Sequence, residues 1–120
     1  MSSVMAWSLD ARTPVRLLKA TDAPPGSVLL AEDGAVLPDA PARVEPFAAP
    51  PLTAHPVGCA CCQPRNPVSI ALDRLFLART RGEAPWFTEV VAIVRTEAGR
   101  AAIAAALEGD SVTQARFRPG

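Results

Sequence analysis

Three cysteines crowd into five residues, Gly58-Cys59-Ala60-Cys61-Cys62, and they are the chain's only cysteines. No distant cysteine is present to bridge with, so the pattern points to metal or thiol chemistry and away from a disulfide framework. Thiolates suit a soft ion such as Zn²⁺, with Cu(I) as the alternative. Cys59 and Cys61 are two apart and point to one side of an extended loop; Gly58 allows the turn that would bring in Cys62. A fourth ligand is not obvious. His55 is the only histidine and stands four residues upstream. Glu32 closes an apolar run and would lie at the carboxyl edge of a sheet, and water is the remaining option. A helix expected just after the cluster, together with Arg65, would favour thiolate over thiol. Other readings stay open: thiol redox or sulfur transfer, or three small buried side chains. No serine has a local histidine–acid constellation, and paired carboxylates for acid–base work are missing, so an enzyme is not expected.

The elements that must position these residues form three zones. Residues 1–39 read as a weakly patterned α/β segment. Within it Pro14 suits the first turn of a short helix running to Lys19 or Ala20, and Ser27 to Glu32 reads as a buried strand. Residues 40–57, dense in proline and alanine, read as an extended linker unable to form a helix or a central strand. Residues 58–120 are more sharply patterned, and the three zones together make one domain. Asn66 and Pro67 suit the cap and first position of a helix over Val68 to Arg81, stopped by Gly82. Apolar Val68, Ala71, Leu72, Leu75 and Phe76 share one face, with Arg74, Arg79 and Arg81 read as solvated. Val90 to Val94 is a continuous apolar run, as in a strand covered on both sides. Thr96 caps a second helix, Glu97 to Glu108, closed by Gly109, and Ser111 to Phe117 adds a short third helix. The helix–strand–helix order predicts an α/β fold with a small layer of parallel strands flanked by helices.

Charge excludes some partners. Twelve basic residues balance 12 acidic ones without forming a run, which argues against nucleic acid and against an electrostatic membrane anchor. No apolar stretch approaches the roughly 20 residues of a membrane span, and the N-terminus lacks the pattern of an export signal, so the expected location is cytoplasmic. Hydrophobic residues make up 49% of the chain but aromatics only 5%. The core should therefore be thin, and a metal ion, a protein partner or a second copy would add to its stability.

The stretch from Gly58 to Arg118 resembles the middle of the CobW-like P-loop GTPases, a family of metal-handling proteins. The resemblance rests on Gly58-Cys59-Ala60-Cys61-Cys62, on Arg81-Gly82-Glu83 at a helix end, on the strand at Phe87 to Val94, and on Ala115-Arg116-Phe117-Arg118. Upstream it continues in degraded form. Ala6-x4-Ala11-Arg12-Thr13 stands at the spacing of a phosphate-binding loop without its glycines or lysine. Val28-Leu29-Leu30-Ala31-Glu32-Asp33-Gly34 matches a strand ending in Asn-Glu-Phe-Gly, with Glu32 in the place of the glutamate. The family's Glu-Thr-Thr-Gly is not recoverable from Val94-Arg95-Thr96-Glu97. The resemblance implies a small, incomplete P-loop-like α/β layer that keeps the metal-binding piece without GTP hydrolysis. The alternatives are a non-catalytic interaction module and a small thiol-dependent redox protein.

Overall fold

The computed structural model describes residues 11–49 and 65–120. Its centre is a parallel sheet built from β1 (Thr13–Leu17), β2 (Val28–Glu32), β3 (Arg43–Phe47), β4 (Val90–Ile93) and β5 (Phe117–Pro119), in the order β3-β2-β4-β1-β5. Three helices complete it: α1 (Pro67–Thr80), α2 (Glu97–Gly109) and α3 (Ser111–Arg116). This is the α/β layer of parallel strands and flanking helices that the sequence predicts.

Strand alternation sends successive side chains to opposite faces. Val28, Leu30, Val90 and Ala92 turn to one face, where they meet Val68, Ala71, Leu72 and Leu75 of α1 and Ala102, Ile103 and Ala106 of α2. Leu29, Val91 and Ile93 turn to the other face, which no helix covers among the described residues. They are buried instead beneath Leu18, Ala23 and Ala35, from the β1–β2 and β2–β3 connections. The expectation that the Val90 to Val94 run is enclosed on both sides holds, with helices on one side and loops on the other.

The helix boundaries follow their local chemistry. The side chain of Asn66 caps α1 by accepting from the Val68 amide (2.7 Å), with Pro67 at the first helical position. At the other end Gly82 takes φ +74°, and the amides of Gly82 and Glu83 bond back to Arg79 and Ala78. Thr96 caps α2 through the Gly99 amide (3.0 Å), and Asp110 caps α3 through the Thr113 amide (3.0 Å).

Two expectations are corrected. Pro14 does not open a helix; it is the second residue of β1. The Leu18 amide donates to Ala92 of β4, so by alternation Pro14 also faces β4. Val15 is paired with Val90, the first residue of β4, so the amide that proline lacks falls where β4 has not yet begun. Residues 43–47, assigned to the linker, form β3. Pro46 is tolerated because β3 is an edge strand. The Asp33 amide donates to Phe47 (2.8 Å), which turns Phe47 towards β2 and Pro46 outward.

Candidate functional site

Because the strands are parallel, their carboxyl ends share one edge of the sheet, the edge at which open α/β sheets bind ligands. β2 delivers Glu32 to this edge, and β4 delivers Arg95 and Thr96. Cys59, Cys61, Cys62 and His55 lie outside the described residues. The chain leaves the carboxyl end of β3 before them and enters α1 through Arg65 and Asn66 after them.

Glu32 is the candidate ligand within the described residues, and its surroundings are specific. Its side chain is buried at 4% exposure. Oε1 accepts from the amides of Arg95 (2.6 Å) and Thr96 (2.9 Å), and Oε2 accepts from the Thr96 hydroxyl (2.6 Å). The carboxylate thus faces the positive end of α2. Burial alone would raise its pKa. The Thr96 hydroxyl, the two amides and the charge of Arg95 outweigh that and hold it below the ordinary 4.5. A Cβ at position 99 would collide with this carboxylate, which accounts for Gly99 in the first turn of α2. Glu32 is therefore neither a surface acid nor a free oxygen donor; to ligate an ion it would have to release bonds that seat α2. The Thr96-x-x-Gly99 pattern after an apolar strand was the available signal for such a cap.

Arg65 is also differently placed from the sequence expectation. Its Nε and Nη2 donate to Asp110 (3.0–3.1 Å) and its Nη1 to Asp73. These hydrogen bonds raise its pKa further, and Asp110 is held below its ordinary value, since the Thr113 amide and Arg65 outweigh burial. Arg116 approaches the other Asp73 oxygen at 3.8 Å. Two cations and two carboxylates balance, so Arg65 has little net field to lend to a thiolate. The first turn of α1 carries no acidic residue.

Residues matching the degenerate phosphate-binding loop have other partners. Arg12 donates to the Gln114 carbonyl (3.1 Å), and the buried Thr13 hydroxyl accepts from Arg79 (3.1 Å). They lead into a strand, and the connection after β1 contains only the short 3-10 turn Ala20–Asp22. Arg79, read as solvated, instead stacks on Trp86 (4.5 Å) and Phe87 (4.4 Å) and donates to the Phe87 carbonyl; burial lowers its pKa.

Comparison with protein-family models, with curated proteins and with solved structures returns no match for this chain. No group of three or more potential metal ligands occurs among the described residues, and no helix among them is long and apolar enough to cross a membrane.

Proposed function

We propose that this chain binds a soft metal ion, zinc first, through Cys59, Cys61 and Cys62, and does so without hydrolysing a nucleotide. The observation that carries the reading is the donor set itself: three thiols within four positions, in a chain with no further cysteine. Their chemistry fits zinc, and Cu(I) as the alternative. Two structural facts support it. The chain leaves for the cysteine segment from the carboxyl end of β3, and α1 starts soon after that segment without an acid in its first turn. His55 or water completes the shell more readily than Glu32, whose oxygens already serve α2.

The absence of hydrolysis is supported by the connection after β1. A triphosphate cradle needs bare amides running into a helix start, and residues 18–27 supply a 3-10 turn and Pro24-Pro25 instead. The resemblance to CobW-like GTPases then suggests a metal buffer, sensor or delivery accessory.

Metal analysis of protein purified without chelator tests the proposal. Stoichiometric zinc is expected, and it should vanish in a triple Cys→Ser variant that still folds by circular dichroism. A folded wild-type protein that takes up neither zinc nor Cu(I) would remove the reading.

A further inference from the structure

We propose that the cavity between β3 and the end of α1 binds a small organic carboxylate, independently of the cysteine segment. The cavity measures about 300 Å³ and is lined by Arg43 and Glu45 of β3, by Arg74 and Leu77 of α1, and by Arg81 and Glu83 just beyond it. Strand alternation puts Arg43 and Glu45 on the face of β3 that carries Phe47 into the helix-side core. Arg74, Leu77 and Arg81 recur at helical spacing, so one side of α1 brings them to that face.

The polar groups there are unevenly matched. The Glu45 side chain is only 9% exposed, yet it holds Arg43 at 3.6 Å and Arg74 at 3.5 Å. Those separations exceed the roughly 2.7–2.9 Å of a charge-assisted hydrogen bond. The Nε of Arg43 is buried without an acceptor, and the Arg81 side chain has no partner among the described residues. Each guanidinium carries five donors and no acceptor, so donors are in excess. The carbonyls that end α1 do not take them up, since those of Leu77, Ala78 and Arg79 already accept from the amides of residues 81–84. Three arginines against two glutamates leave one positive charge, which a monoanion balances and a phosphate dianion overfills. A planar carboxylate matches the guanidinium fork, and exposed Leu77 offers an apolar wall for the body of the ligand. The volume is at the low end for ligand pockets, which restricts the occupant to a small molecule. Glu45 is then a resident competitor, engaging two of the arginines that the ligand would use.

Benzoate is the probe, titrated into the full-length ¹⁵N-labelled protein at fixed pH and ionic strength, with the amide shifts of Arg43, Leu77 and Arg81 as readout. Saturable shifts at these positions are expected. Arg81→Gln should weaken binding about threefold, the scale of an exposed ion pair. Arg43→Gln, at a less exposed site, should weaken it about tenfold. Glu45→Gln keeps the volume and frees both arginines, so it should tighten benzoate severalfold, a sign that a merely structural Glu45 would not produce. Arg16→Ala, which removes the separate ion pair with Glu89, should leave affinity unchanged. Should Arg43→Gln fail to fold by circular dichroism, Arg81→Gln and Glu45→Gln carry the test. Shifts that do not saturate, an equal response to neutral benzamide, or full affinity in folded Arg81→Gln would overturn the proposal. Inorganic phosphate binding more tightly than benzoate would overturn the carboxylate assignment, and unchanged or weaker affinity in Glu45→Gln would overturn the charge balance on which it rests.

Discussion

Glu32 illustrates how a buried charge becomes structural. Three donors from Arg95 and Thr96 converge on it, so the ionised form is the one the fold stabilises. Glu32→Gln keeps the volume but turns an amide NH₂ or a weaker acceptor towards those donors. The expected loss is about 2 kcal/mol at pH 7, read from urea midpoints. The pH dependence has a defined sign. The folded pKa lies below the ordinary 4.5, so the carboxylate's contribution is complete above the unfolded value and disappears as pH falls through the folded one. Wild type should therefore lose more stability than Glu32→Gln between pH 6 and roughly pH 3. An equal loss in both would show that other carboxylates, Asp110 among them, dominate the acid limb.

At the scale of elements, the two outer strands share a device. Pro46 of β3 faces away from β2. At the opposite edge the Gly120 amide donates to Val15, so Gly120 faces β1 and Pro119 of β5 faces outward. Each edge thus withholds one amide from any incoming strand, which protects against edge-to-edge pairing. Replacing Pro46 by valine restores a donor and a strand-forming side chain. Concentration-dependent association of Pro46→Val in sedimentation velocity, with a monodisperse wild type, is the expected result. Prolines also explain what the sequence hid. Proline inside a short apolar run reads as a helix start at Pro14 and as a linker around Pro46; the offset of β4 makes the first tolerable, and the outward side of an edge strand the second. The elements with their own caps, α1 and α2, were legible to within a residue or two. Asn66-Pro67 and Thr96 sit where a cap must, and Gly82 and Gly109 mark where the helices end. The role of Glu32 was less accessible, because the amides that satisfy it are more than 60 residues away.

For the molecule as a whole, the sheet has unequal covers. Helices bury one face, while Leu29, Val91 and Ile93 rely on connecting loops. The central strands are still the most enclosed, since Leu29, Leu30, Val90, Val91 and Ala92 are fully buried. Native-state hydrogen exchange should accordingly be slowest in β2 and β4 and faster in β3 and β5, whose outer edges lack a partner among the described residues. Exchange in β2 as fast as in β3 would mean that the loop-covered face opens on its own. The carboxylate on β2 bears on this expectation. Its donors belong to the residues that leave β4 and begin α2, so neither strand nor helix can detach without stranding an ion in a dry interior. Those three pieces are bound to a common fate. Heat or denaturant should find no stable halfway form in which one has gone and the others remain.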